Sequence, residues 1–137
     1  MCSSDLDLLP PDEASRWLAH RFAIINVWRS IGPPVETAPL AFTDARSTKA
    51  DHLVATDLVY SDRVGEIFRA AYDPDQRWHY FSSMTRDEAL LLKVYDSAED
   101  GRARWTAHSA FSNPAAPAGA QPRQSIELRA LVSFAPE

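Results

Sequence analysis

The residues of this sequence best suited to chemistry are a histidine and an Arg-x-Ser pair near its end. His108 is followed by a Pro/Ala-rich loop and then by Arg123 and Ser125, which open a strand-like run. An imidazole can supply a nitrogen ligand to iron, a guanidinium matches a carboxylate bidentately, and a serine hydroxyl adds a hydrogen bond. The same residues are also explained as polar groups at strand ends, because such a pair at loose spacing often arises by chance.

Composition describes one ordinary globular domain. The 137 residues are 45% hydrophobic and 24% charged, which is enough for one core. The net charge of -5 argues against a nucleic-acid partner, because the 14 basic residues are scattered among 19 acidic ones. The single cysteine, Cys2, permits no internal disulfide, and no apolar run is long enough to span a membrane. We therefore expect a cytoplasmic protein without a membrane partner.

Turn-separated β-like runs follow a short helix. Two prolines and an acidic first turn predict a helix that ends near His20 and docks through Trp17 and Leu18. Residues 21–31 have apolar side chains on both faces, which predicts a buried strand. Further strands are predicted over residues 40–46, 56–60, 64–72, 77–82, 105–111 and 123–134. Residues 85–88 have the form of a capping box, and we favour a turn followed by a strand after them over a helix.

Alternation along residues 21–31 places Asn26 and Trp28 on one face and Arg29 on the other. A buried arginine must find an anion, so Arg29 either contacts a ligand or pairs with a nearby Asp or Glu, and pairing is the more frequent outcome. The other three histidines lack metal-ligand spacing and are interpreted as surface or satisfied side chains: His20, His52 and His79.

Six sequence blocks in a fixed order resemble one family. They are RFAIINVWR (21–29), PLAFTDAR (39–46), DLVY with RVGE (57–66), MTRDEALLLK with YDS (84–97), HSAF (108–111) and RQSIELR (123–129). Together they are similar to the CmcJ-type group, also called the asaB hydroxylase/desaturase family. The resemblance covers nearly the whole chain after about residue 9.

The resemblance implies a mainly β fold, a double-stranded β-helix (jelly roll) that is incomplete at the N-terminus and carries a short N-terminal helix. It implies an oxidoreductase of secondary metabolism that uses Fe(II) and 2-oxoglutarate on a small-molecule substrate. Site residues carried over by the matching motifs are His108 as the distal iron ligand, Arg123 and Ser125 for the far carboxylate of 2-oxoglutarate, Arg129 as a second candidate for that clamp, and Asn26, Trp28 and Arg29 facing the reaction pocket.

The sequence departs from the family pattern in its iron ligands. Such enzymes use a His-x-Asp pair and a distal histidine, yet no histidine here is followed two residues later by Asp or Glu. Residues 1–6 look like a non-native tail, or else a short polar tail, and we expect them to be disordered. Residues 7–137 are then the C-terminal part of a single jelly-roll domain, inactive alone. Alternatives are a non-catalytic jelly-roll binding module, or a methyltransferase, for which no glycine-rich nucleotide loop is present.

Overall fold

The computed structural model describes residues 9–135, and the predicted tail at residues 1–6 lies outside that range. Within it the chain forms one α-helix and eight strands. They are α1 Pro11–Leu18, β1 Phe22–Ser30, β2 Leu40–Thr43, β3 Leu53–Val59, β4 Val64–Ala70, β5 Trp78–Tyr80, β6 Leu90–Asp96, β7 His108–Ala110 and β8 Ser125–Ser133. The predicted mainly β class with a short leading helix is therefore confirmed.

The described strands pair antiparallel in two three-stranded sheets and one hairpin. The first sheet has the order β6-β1-β8, the second β5-β2-β7, and β3 pairs with β4. Strand β1 is central, and it pairs with β8 along its whole length, from Phe22 opposite Ser133 to Ser30 opposite Ser125. Residues directly opposite in such a pair lie on the same face, so this register decides which side chains share the site.

Two buried clusters hold the first sheet in place. Phe22, Ile24 and Tyr95 form one cluster, against which Trp17 packs, as predicted for the helix. The prediction was wrong for Leu18, which is 58% exposed. Adjacent helical residues point about 100° apart, so only one of the two can face the sheet. The second cluster consists of Trp28, Val35 and Met84, with Leu40 and Leu90 packed against it.

A buried carboxylate ties the ends of three strands together. The Asp96 side chain is completely buried and accepts hydrogen bonds from Arg21 Nε (3.1 Å) and Nη2 (2.8 Å), from Lys93 Nζ (2.9 Å) and from the Ala98 backbone N–H (3.0 Å). The Arg21 guanidinium also lies 3.8 Å from the centroid of the Phe134 ring, just beyond β8. The hydrogen bond from Arg21, more than the bond from Lys93, holds the pKa of Asp96 well below its usual value.

The prediction that strand β1 is buried on both faces was wrong for the face that carries Arg29. Arg29 is exposed, and the apolar residues beside it are open as well: Leu91 is 68%, Ile126 56% and Leu128 64% exposed. Register aligns Leu91, Val27 and Leu128 across the three strands of this face. No described element covers that end of the sheet, which is why apolar side chains there meet solvent.

Several predicted strands are shorter in the structure, and for β2 a polar turn is the reason. Strand β2 ends at Thr43, since the Asp44 carboxylate accepts from the Arg46 backbone N–H and opens a 3-10 turn, Ala45–Ser47. Glu88 does reach back to the Thr85 N–H (2.8 Å), but no helix follows it, and β6 begins at Leu90 in line with the predicted turn and strand. Within residues 9–135, no helix is both long and apolar enough to cross a membrane.

Candidate active site

One face of the β1/β8 pair collects most of the candidate site residues. In register, Asn26 lies opposite Arg129, Trp28 opposite Glu127, and Ser30 opposite Ser125. The β1 side chains of this face, Asn26, Trp28 and Ser30, are buried, and Trp28 belongs to the cluster with Val35 and Met84, whereas Glu127 and Arg129 of β8 are exposed. The face therefore combines an aromatic floor with amide, carboxylate, guanidinium and hydroxyl groups.

Asn26 bridges two charged residues of β8. It is only 1% exposed, and its side-chain Nδ2 donates to Glu127 Oε1 (2.8 Å), while its Oδ1 accepts from Arg129 Nε (3.2 Å). Both ends of the amide are therefore occupied, which fixes its orientation and satisfies a buried polar group. Sequence reasoning missed Glu127 as a site residue, although its alternation with Ser125 and Arg129 on the polar face of the strand was the signal for it.

Arg123 lies just before β8 and reaches over the indole of Trp28. Its guanidinium carbon is 5.6 Å from the ring centroid, and Nη1 donates to the Ala38 carbonyl oxygen (2.8 Å). Ser125 begins β8 on the same face, as the strand-opening position predicted. The structure thus brings Trp28, Arg123 and Ser125 together. An anchored guanidinium beside a hydroxyl can grip a carboxylate.

His108 begins β7 in the second sheet. Its Nδ1 is 2.8 Å from the Thr106 carbonyl oxygen, and because a carbonyl only accepts, Nδ1 carries a proton, which in the neutral ring leaves the lone pair on Nε2. His108 is opposite Phe42 in β2. Leu40 lies two residues before Phe42 on the same face of β2, and it packs against the Trp28 cluster. The histidine therefore stands on the side of the second sheet that is turned toward Trp28.

The structure does not bring Arg29 to this face. Its side chain is on the opposite side of β1, exposed, and donates to the carbonyl oxygens of Arg86 (2.6 Å) and Ser30 (3.4 Å). Among residues 9–135 it makes no salt bridge, so the expected pairing with an Asp or Glu is not what the structure shows. An exposed guanidinium is solvated, and for that reason it needs no carboxylate partner.

His52 and His79 differ in their exposure and in their contacts. His52 is 8% exposed, with its Nε2 3.1 Å from Asp73 Oδ2 and its Nδ1 accepting from the Lys49 backbone N–H (3.3 Å), which confirms it as a satisfied histidine. His79 is exposed, but its register places it opposite Phe42, with the two ring centroids 6.4 Å apart. It thus shares the face that carries His108, a placement that spacing in the sequence could not reveal.

The described residues do not complete a metal site. Within residues 9–135 no group of three or more His, Cys, Asp or Glu side chains is arranged to hold a metal ion. His108, with Nε2 free and Nδ1–H held by a carbonyl, has the arrangement usual for a single metal-bound histidine. The remaining ligands of an iron site would have to lie outside this part of the chain.

Comparison with known proteins defines the class. The chain belongs to the family described as oxidoreductase/YMDC permease-like domain, which it matches over residues 3–133. It is 39% identical over 127 residues to aspirochlorine biosynthesis protein N of Aspergillus oryzae, covering 90% of this chain and 53% of that protein. It is 41% identical over 140 residues to hydroxylase/desaturase asaB of Aspergillus flavus, covering 89% of this chain and 60% of asaB. The predicted resemblance to the asaB group is confirmed.

A solved structure shows the same fold. The chain superposes on the iron and alpha-ketoglutarate-dependent endoperoxidase NvfI with a TM-score of 0.87 and 33% identity, over 96% of this chain and 49% of that one. The curated relative named Fe(II)/2-oxoglutarate-dependent dioxygenase nvfI, from Aspergillus novofumigatus, is 37% identical over 123 residues and is covered to 44%. The chain thus spans about half the length of the relatives it matches.

Proposed function

We propose that this chain carries the cosubstrate-binding part of an Fe(II)/2-oxoglutarate-dependent hydroxylase/desaturase that acts on a small molecule of secondary metabolism. The observation that carries the proposal is that Arg123 lies over Trp28 with Ser125 on the same face of β8, while Leu40, on the face of β2 that carries His108, packs against the Trp28 cluster. The names of the relatives support the iron and the cosubstrate, since nvfI is called an Fe(II)/2-oxoglutarate-dependent dioxygenase. A cytoplasmic location remains a prediction from the sequence.

In this proposal His108 contributes one iron ligand through Nε2. The hydrogen bond from Nδ1 to the Thr106 carbonyl oxygen orients the imidazole and fixes its tautomer, which makes Nε2 the ligating atom. When bound, the iron supplies the oxidation chemistry with oxygen and 2-oxoglutarate. At least one further ligand must come from outside residues 9–135, since those residues hold no group of three side chains able to bind the metal.

Arg123 is proposed to hold the far carboxylate of 2-oxoglutarate. Among residues 9–135 its only hydrogen-bond acceptor is the Ala38 carbonyl, which leaves most of its N–H donors free for a ligand. The indole of Trp28 lies under the guanidinium and keeps water from one side of it. Ser125 adds a hydroxyl donor on the same face, so the pair matches a carboxylate in both charge and shape.

Arg129 is the less suitable clamp. Its Nε donates to Asn26 Oδ1, and Asn26 in turn holds Glu127, so this guanidinium belongs to a cross-strand network. We propose that Asn26 and Trp28 shape the floor of the reaction pocket. Arg29, on the other face of β1, is not proposed to touch the substrate.

The proposal is tested in a chimera that joins this chain to the part of the nvfI dioxygenase that it does not match. Replacing His108 by Ala should abolish iron retention and turnover. Arg123→Ala should leave iron bound but weaken 2-oxoglutarate binding by about 2–4 kcal/mol, because a charge-assisted fork is lost and the cosubstrate carboxylate is left unpaired. Arg129→Ala is the matched control, with little change in cosubstrate affinity.

Three results would contradict this assignment. Loss of 2-oxoglutarate binding in Arg129→Ala but not in Arg123→Ala would move the clamp to Arg129. Iron retention in His108→Ala would remove the histidine from the site. A chimera that binds small molecules but neither iron nor 2-oxoglutarate would favour the non-catalytic binding module, for which the lack of a three-ligand cluster in residues 9–135 is the supporting observation.

A further inference from the structure

A second cavity lies apart from the candidate active site. It has a volume of about 310 Å³, within the usual range for small-ligand sites, and it opens between the segment after β2 and the segment before β7. Its lining includes none of the predicted site residues. Four cationic side chains and two large apolar ones line it: Arg46, Lys49, Arg102, Arg104, Leu53 and Trp105.

Two of the arginines, Arg46 and Arg102, are each held by a hydrogen-bonded Asp-x-Arg turn. Asp44 accepts from the backbone N–H of Arg46 (3.0 Å) and from its Nη2 (2.8 Å), and Asp100 likewise accepts from the backbone N–H (3.2 Å) and Nε (2.7 Å) of Arg102. Each Asp-x-Arg turn fixes its guanidinium at one side of the cavity. Hydrogen bonds from these arginines lower the pKa of both carboxyl groups to about 2, so both turns stay charged at neutral pH.

The charges around the cavity do not balance. Each of the three arginines of the lining pairs with a carboxylate, of Asp44, Asp100 or Glu99, and Asp44 is shared with Arg77 (3.4 Å). Lys49 is exposed, and within residues 9–135 its ammonium group makes no salt bridge. Counted over residues 9–135, Lys49 is therefore the one cation of the lining without a carboxylate partner, in a chain whose net charge is -5.

The floor of the cavity is apolar and firmly packed. Trp105 contacts Tyr95 at a centroid distance of 6.3 Å and Phe68 at 6.5 Å, which joins it to the first buried cluster, and the Arg104 guanidinium lies 4.7 Å from its ring. Leu53 and small side chains also line the cavity. A ligand that fills this space needs an apolar body as well as a negative end.

We propose that this cavity binds an organic monocarboxylate, with its apolar body over Trp105 and its carboxylate at Lys49. One unpaired cation matches one negative charge, whereas a polyphosphate would bring more charge than the lining can neutralise. The site is separate from the proposed iron and 2-oxoglutarate site, and binding here requires neither.

The test measures binding to the intact chain without iron or 2-oxoglutarate. Naphthoate, its neutral amide and pyrophosphate are titrated, and the indole N–H signal of Trp105, assigned with Trp105→Phe, reports occupancy. Naphthoate should shift this signal and bind at least about tenfold more tightly than naphthamide or pyrophosphate, because only naphthoate offers both features. Lys49→Glu should weaken it about tenfold, and Lys49→Arg should restore it.

Arg69→Glu is the matched control, since it makes the same reversal of one exposed positive charge but lies on β4, outside the cavity. It should leave naphthoate binding within about twofold of the unaltered chain. Equal affinity for naphthoate and naphthamide, tighter binding of pyrophosphate, or an unchanged affinity in Lys49→Glu would each overturn the proposal. None of these results bears on His108 or Arg123, so this proposal and the oxygenase proposal fail separately.

Discussion

Replacing Asp96 by Asn should destabilise this chain more than any exposed charge change. The carboxylate receives four hydrogen bonds and is completely buried, and its partners come from β6, from just after β6 and from just before β1. An asparagine is nearly the same size but carries no charge. It also places an N–H₂ group where the carboxylate faces Arg21 and Lys93, so that a donor meets donors.

The size of the loss follows from burial. Removing one member of a buried ion pair costs about 3–5 kcal/mol, because the other charge is left uncompensated. Here the side chains of Arg21 and Lys93 are 28% and 30% exposed, so both can recover part of their hydration. We therefore expect the lower end, about 3 kcal/mol, which for a chain of this length lowers the melting temperature by roughly 10 °C.

The pH dependence has a defined sign. The pKa of Asp96 is lower in the folded chain than its ordinary value of 3.8, so the folded state is stabilised by the ionised form. That stabilisation is fully present above the unfolded pKa and is lost as the pH falls through the folded pKa. The stability difference between the unaltered chain and Asp96→Asn should therefore be constant near neutral pH and shrink below about pH 4.

Thermal unfolding followed by circular dichroism, at one protein concentration and over a pH series, measures both effects. Asp100→Asn is the matched control, since that carboxylate also pairs with an arginine but is half exposed. It should hardly change the melting temperature. Equal shifts in the two variants, or an Asp96→Asn difference that grows as the pH falls, would refute the reasoning.

Two further predictions concern the surface and the metal. The open apolar face, with Leu91 68% and Leu128 64% exposed, should make the chain associate. In sedimentation, Leu128→Glu should shift the chain toward the monomer, whereas Val59→Glu on the β3/β4 hairpin should not. An unaltered chain that is monomeric and unfolds cooperatively would contradict this prediction. The chain alone should bind Fe(II) no better than a surface histidine does, because His108 is a single ligand. A tight equimolar Fe(II) complex that is lost in His108→Ala would contradict this prediction.

Much of the fold follows from local pattern. A largely apolar run predicts β1, alternation predicts β8, and the choice of a turn followed by a strand after residues 85–88 is confirmed by β6, which begins at Leu90. The motif around Arg123 and Ser125 is likewise readable in sequence, because it opens the strand that presents it. These features depend on neighbouring residues alone, so a single sequence determines them.

Only the tertiary structure decided which residues meet. Asn26 holds Glu127 and Arg129 across 101 and 103 positions, and Arg21 reaches Asp96 across 75. A period of two says that Asn26 and Arg29 point to opposite faces, but it does not say which face is covered. Strand order and register fix that, and they arise from the packing of distant segments, which is why the open side of β1 and the buried carboxylate were not foreseen.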